Sequence, residues 1–329
     1  MRVKGLIYQK RKAQLHGIRV IGRESSVPNW GELLNQLNGK KSPVDEMRHK
    51  YIGILSEYTE RNIISYYSAF IQKPLIEGTG INENDKNAFM QAVHGLDRSK
   101  GLDLILHTPG GDIATTESIV YYLHKLFGSD IRVFVPQIAM SAGTMIALAA
   151  KEIVMGKQSN LGPIDPQFGG MSCAAIIDEF EEAIDAVKRN PDTAAIWGTI
   201  IGKYHPTFIG DCKNAIKWAE EIAQKWMCEN MFREYDDKEE RSQKVLQVLT
   251  SHGKTLSHAR HIHSEELKSL GLTITDLEGM DDTPKEDCKD LQDCVLTLHH
   301  SYMHTFGTTD SIKIVENQNG NAMIQVRRE

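Results

Sequence analysis

Ser141 sits where a nucleophile would. It follows an apolar run, Ile131–Val135, through Pro136-Gln137-Ile138-Ala139-Met140, and it precedes Ala142-Gly143-Thr144-Met145 at the start of a helical pattern. Small neighbours let a substrate backbone approach, and a helix N-terminus leaves N–H groups without intrahelical acceptors. A serine hydroxyl there can attack a carbonyl, with the Ala142 N–H aimed at the developing oxyanion. The same local sequence suits a serine that caps the helix, so both readings stay open at this point. A second turn, His107-Thr108-Pro109-Gly110-Gly111-Asp112, places paired glycines between a strand and a helix. Such a pair permits close backbone approach to a ligand, or simply a tight turn. Asp112 reads as the cap of its helix, and His107 as a packed group rather than a catalyst. The GxGxxG and Walker A patterns are absent, which disfavours a nucleotide fold.

These turns need a scaffold, and the flanking pattern supplies one. Leu102–His107 reads as a strand, 113–127 as a helix, 131–135 as a strand, 141–150 as a helix and 152–155 as a strand. Alternating β and α with short loops implies a mainly parallel sheet flanked by helices, and the apolar strands suit a sheet buried on both faces. Upstream, short strands are expected at 3–8 and 16–21 and a brief helix at 29–38. Ser42-Pro43 starts a helix to Tyr58, 63–71 reads as a strand, and Asn84 caps a helix to Leu96. Downstream, helices are expected at 174–189, 213–234, 238–251 and 264–270. An acidic linker follows at 276–290, then a helix at 290–306. A hairpin closes the pattern, with strands 311–315 and 323–327 around Asn317-Gln318-Asn319-Gly320. Tyr66, Tyr67, Tyr121 and Tyr122, with Trp197, Trp218 and Trp226, read as core or interface residues.

Bulk properties exclude several classes. Hydrophobic residues make up 40% and charged residues 25% of the 329, and the net charge is −6. That balance fits an ordinary globular protein and argues against a nucleic-acid surface, the basic stretch from Arg2 to Arg23 being read as a solvated edge. Five scattered cysteines with no CxxC pair suit reduced thiols in a cytoplasmic setting. The basic N-terminus has no apolar h-region behind it. The nearly uncharged stretch 133–150 contains Pro136, Gln137, Ser141, Gly143 and Thr144, so it reads as strand, turn and helix of a core rather than a membrane span. His252, His258, His261 and His263 cluster without the carboxylate or cysteine pattern of a metal site, and HExxH is absent. No metal and no cofactor are expected.

Three stretches in series carry a resemblance: His107-Thr108-Pro109-Gly110-Gly111-Asp112, Met140-Ser141-Ala142-Gly143-Thr144, and Ser159-Asn160-Leu161-Gly162-Pro163-Ile164-Asp165-Pro166-Gln167. Together they resemble the serine dehydrogenase proteinase family, of the Clp-protease/crotonase fold group and related to signal peptide peptidase A. The resemblance covers roughly 63–272. It implies an α/β fold, a Clp/crotonase-like spiral of ββα units with helical additions and a C-terminal β-hairpin. It implies an N-terminal extension over 1–60, a peptidase domain over 61–277, and a helix-and-hairpin extension over 278–329.

By that resemblance Ser141 is the nucleophile, Gly111 and Ala142 are the oxyanion donors, and Gly110, Leu161, Gly162, Pro163 and Asp165 line the substrate site. Asp165 stands where the Clp peptidases have their histidine, and Ala259 where they have their aspartate. The signal peptide peptidase relatives use a lysine instead, which burial must make neutral. Lys203, in an apolar-flanked loop, is the first choice, with Lys213 and then Lys188 behind it; His258 is the histidine alternative. The expected activity is that of a serine endopeptidase with a Ser-Lys dyad, acting on extended polypeptides as a cytoplasmic homo-oligomer. The alternatives are a catalytically silent assembly or binding module and, more remotely, a crotonase-like acyl-CoA enzyme.

Overall fold

Short β-branched runs ended by glycine, aspartate or proline fix the central elements. Strands Leu102–His107, Ile131–Val135 and Glu152–Met155 and helix Ile113–Phe127 fall where the sequence pattern puts them. The computed structural model describes residues 18–21, 43–250, 257–285 and 287–327. The strand expected at 3–8, the helix at 29–38, Ser42, most of the basic N-terminal stretch and His252 lie outside these residues. In chain order the first elements are β1 (Ile18–Ile21), α1 (Pro43–Thr59), β2 (Asn62–Ser68), α2 (Glu83–Ala92), β3 (Leu102–His107), α3 (Ile113–Phe127), β4 (Ile131–Val135), β5 (Ile138–Ala139), α4 (Ala142–Leu148), β6 (Glu152–Met155) and β7 (Asn160–Leu161). There follow β8 (Gln167–Phe168), β9 (Met171–Ser172), α5 (Cys173–Arg189), α6 (Ala194–Ile201), α7 (Phe208–Glu229), α8 (Lys238–Leu249), β10 (Ile262–His263), α9 (Ser264–Ser269), β11 (Ile274–Asp276), α10 (Leu291–Thr308), β12 (Ser311–Asn317) and β13 (Ala322–Val326).

The chain divides into two compact units, one of residues up to Thr108 together with those from Glu278, the other Pro109–Leu277. In the first, the strand order is β1-β13-β12-β2-β3, with β2 and β3 parallel and the other pairs antiparallel. β2, β3 and β12 are buried along their whole length. For β12 this is unexpected, because it carries Lys313, Glu316 and Asn317. Each has a partner. Lys313 Nζ donates to Asp85 at 2.7 Å and to Gly80 O at 2.8 Å, and Arg48 Nε donates to Glu316 Oε1 at 2.8 Å. Burial opposes ionisation of Glu316, yet Arg48 and His49 beside it hold its carboxyl below the usual range. Charges so paired tolerate a low-dielectric setting that would expel them singly.

Three expectations are corrected here. Asn82, not Asn84, caps α2: its side chain accepts from Asn84 N while Asp85 accepts from Asn82 N at 2.8 Å, a reciprocal capping box. The stretch 276–290 is no free linker, since β11 ends at Asp276, Tyr58 Oη donates to Thr283 O at 2.8 Å and Leu291 N to Asp281 O at 2.9 Å. An unforeseen helix, α6, precedes α7, which begins at Phe208 rather than Lys213.

The second unit contains the parallel strands β4-β6-β11 and a small sheet ordered β10-β7-β5. Around them pack helices whose apolar faces include Trp226, Met227, Val245 and Leu249. Among the described residues no helix is long and apolar enough to cross a membrane.

His299 on α10 yields a stability test. Its ring is buried against Tyr67 and His107, at centroid distances of 5.8 and 5.2 Å. Burial, then repulsion from His300, pushes its pKa down to about 4. The unfolded chain therefore binds a proton that the folded chain refuses. This contribution is complete above pH ~6.5 and is lost as pH falls toward 4, by up to about 3 kcal/mol. Urea unfolding of wild type and His299→Gln from pH 7 to 4.5 should show a steeper loss for wild type; identical slopes would refute the assignment.

Candidate active site

Ser141 has φ 52° and ψ −119°, a left-handed conformation rare outside glycine. Such a backbone costs about 1–3 kcal/mol and persists only where its surroundings fix it. Two bonds fix it here: Gly143 N donates to Met140 O at 2.7 Å, and Met145 N to Ser141 O at 3.1 Å. Ser141 occupies the N-cap position of α4, but its side chain makes no capping bond. The capping reading therefore loses its physical content. Ser141 is half-exposed whereas Ala142–Ala150 are buried, and Ala142, as the first helical residue, has no intrahelical acceptor for its N–H.

The glycine turn lies directly against this elbow. At Gly110, with φ +93°, a Cβ would stand 2.6 Å from Met140 O, 2.7 Å from Ser141 Cβ and 2.9 Å from Ala142 N. Only glycine allows that approach, which brings the turn carrying Gly111 beside the Ala142 N–H. A two-donor oxyanion hole needs this juxtaposition. Gly111 is exposed. Asp112 caps α3 as expected, accepting from Thr115 N at 2.7 Å.

The small sheet determines what meets Ser141. β5 runs parallel to β7, with Ala139 opposite Leu161, and β10 runs antiparallel to β7, with Ile262 opposite Leu161. Residues following β5, residues following β7 and residues preceding β10 therefore leave the sheet at the same end. These are Ser141, Gly162 to Asp165, and His258. His258 Nδ1 and Asp165 Oδ1 are 2.7 Å apart, with the Asp165 side chain 1% exposed and that of His258 24%. A carboxylate only accepts, so Nδ1 donates; in the neutral imidazole that tautomer puts the lone pair on Nε2. The backbone on either side of Asp165 is anchored by Ile164 N donating to Leu249 O and Cys173 N to Pro166 O, each at 2.9 Å. Among the described residues Ser141 Oγ has no hydrogen-bond partner; nucleophile–base bonds commonly close only with substrate in place.

The lysines lie differently. Lys203 is exposed in the turn after α6, where its N–H donates to Ile200 O at 3.1 Å. Lys213 is exposed on α7, and Lys188 is exposed and paired with Asp185. The burial on which a lysine base depends is absent at all three. Leu161, Gly162 and Pro163 are buried, and Asp165 has a histidine for a partner. His261 and His263 are exposed. Among the described residues no cluster of three or more His, Cys, Asp or Glu is arranged to hold a metal. The Asp165–His258 pair joins positions 93 apart. Its sequence signal was an aspartate in the usual place of a histidine and a histidine beside the usual place of an aspartate, each of which looks like a loss when taken alone.

A strained, half-exposed serine, a glycine turn against it and a histidine–aspartate pair at the same sheet end are set in an α/β chain. The family described as ClpP-like SDH-type serine proteinase matches residues 68–283, and the chain belongs to it, with the Clp/crotonase-like fold. Two uncharacterized proteins of Methanocaldococcus jannaschii, MJ0137 and MJ1495, are similar to it at 31% and 30% identity. Each match runs over 194 residues, 59% of this chain and 60% and 59% of the respective relative, so the chain spans about three fifths of their length.

Because the obstruction at Gly110 is backbone, Gly110→Ala should destabilise the protein by more than about 1–3 kcal/mol. Urea denaturation checks this, and an unchanged midpoint would show that the turn does not bear on the elbow.

Proposed function

We propose that this chain is a serine peptidase using Ser141, His258 and Asp165. The observation that carries the reading is the His258–Asp165 hydrogen bond at the sheet end where Ser141 emerges. Ser141 Oγ attacks a peptide carbonyl while its proton passes to His258 Nε2. Gly111 and Ala142 N–H hold the oxyanion. The C–N bond then breaks as Nε2 returns the proton to the leaving amine. Water, deprotonated by the same nitrogen, attacks the acyl carbon, and Nε2 passes that proton to Oγ as the acyl–Oγ bond breaks. Asp165 keeps the imidazole in the tautomer this requires. His258 takes the role that Lys203 would have in a Ser-Lys dyad.

The substrate would be an extended polypeptide, added as a strand beside the glycine turn. A homo-oligomer belongs to the same proposal. It is supported by α6, an apolar helix without a buried residue whose Ile196 is 65% exposed. A cytoplasmic setting agrees with the free thiol state of all five cysteines.

A fluorophosphonate probe should label wild type and not Ser141→Ala. With a fluorogenic peptide substrate, Asp165→Asn should lower kcat by about 10⁴-fold, as loss of the correct tautomer does. His258→Gln should abolish turnover while Lys203→Ala retains it. Activity in His258→Gln together with loss in Lys203→Ala would transfer the base to the lysine. Absence of labelling in wild type would instead favour a silent binding module.

A further inference from the structure

Thr144 lies in the first turn of α4 with its side chain fully buried. Its hydroxyl oxygen is 2.9 Å from Ala139 O, 2.9 Å from Gly162 O and 3.0 Å from Gly162 N. A hydroxyl has one proton and two lone pairs. It therefore accepts from the Gly162 N–H and donates to one of the two carbonyls at a time. Ala139 ends β5, just before Met140 and Ser141, and Gly162 directly follows β7 on the way to Asp165. One buried oxygen thus ties the strand end that aims the nucleophile to the segment that carries the carboxylate.

The two strands do not need Thr144 in order to pair. β5 and β7 are already in register, and Asn160 N donates to Gln137 O at 2.7 Å. What the hydroxyl adds lies beyond the last paired residues, at the end where Ser141, Asp165 and His258 emerge. Packing reinforces the same junction. A Cβ at Gly162 would stand 2.6 Å from Met140 Sδ and 2.4 Å from its Cε, so the segment leading to Asp165 lies against the residue before the nucleophile. Valine would fill the volume of Thr144 while leaving the Gly162 N–H without its acceptor.

We infer that Thr144 is a positioning residue that sets Ser141 against the Asp165–His258 pair, so that the chemical step depends on its hydroxyl and ligand binding does not. The inference rests on the peptidase reading above. It is tested by the kinetics of fluorophosphonate labelling in wild type, Thr144→Val and Thr144→Ser, separating the maximal labelling rate, the half-saturating probe concentration and the final fraction of chains labelled. Thr144→Val should lower the maximal rate by about 30- to 100-fold, the loss expected when reacting groups are misplaced by about an ångström. The half-saturating concentration and the labelled fraction should not change. Thr144→Ser, which restores the oxygen, should recover the rate to within about threefold of wild type.

A wild-type rate in Thr144→Val, or a Thr144→Ser as slow as Thr144→Val, overturns the inference. So does a smaller labelled fraction reacting at the wild-type rate, which would make the hydroxyl a matter of folding alone. Should Thr144→Val not fold, Thr144→Ala, which also removes the oxygen, is read by the same criteria. Wild type that never labels removes the peptidase reading and this inference together. Wild type that labels, with Ser141→Ala inert and Thr144→Val unimpaired, removes this inference only.

Discussion

The backbone of Ser141 is the constraint around which the second unit is arranged. A serine at positive φ gains nothing locally from being there, so the conformation must be imposed by its surroundings. The imposition is dense. Gly110 presses its bare α-carbon against the elbow, Gly143 and Met145 take up the preceding carbonyls, and α4 is buried along its entire length. That burial is possible because the helix is built from residues without β-branching, Ala142, Gly143, Met145, Ala147 and Leu148, broken only by Thr144 and Ile146. The composition that makes the stretch look almost like a membrane segment is what lets the turn, the helix and the strand before it pack so closely.

Each unit also handles buried polarity by pairing it. In the first, Arg48 with Glu316 and Lys313 with Asp85 put full charges at positions with no exposed side-chain surface. In the second, the nearly inaccessible Asp165 is matched by the half-exposed His258. The difference between these pairs is access. The pairs in the first unit are closed to solvent on both sides and can only stabilise or specify the fold. The histidine of the second keeps one edge toward solvent, which a proton carrier needs.

The sequence made legible what is local. β3, α3, β4 and β6 are bounded by Gly101, Asp112, Gly128, Pro136 and Gly156, residues whose backbone chemistry stops an element wherever it occurs. The two-residue strands β5, β7 and β10 are too short to show any period, yet they bring the candidate site together. β12 reads as ending at Val315 because the turn signal Asn317-Gln318-Asn319-Gly320 follows so closely, yet Glu316 and Asn317 are buried strand residues. The residue that makes Glu316 a buried one is Arg48, 268 positions away. The pairing of His258 with Asp165 failed to show for the same reason, since neither residue carries a local mark of the other. Ser141, by contrast, stood out as a candidate because its neighbours are small, and in the structure its side chain makes none of the capping bonds that the same neighbours also allowed.

The layout of the two units along the chain has a consequence for the order of events during synthesis. The unit that holds Ser141, Asp165 and His258 is drawn from one uninterrupted stretch, so all its internal contacts become available once Leu277 has been made. The other unit is interrupted by it. β2 emerges early but pairs on one edge with β12, whose Asn317 lies opposite Ile64. Until residues 311–317 exist, that edge presents its backbone donors and acceptors to any other chain within reach. A nascent chain of this protein thus passes through a period in which its site-bearing part can be complete while a long apolar strand edge is still unguarded. The hazard of misassociation during that interval lies in the first unit, not in the one that holds the candidate site.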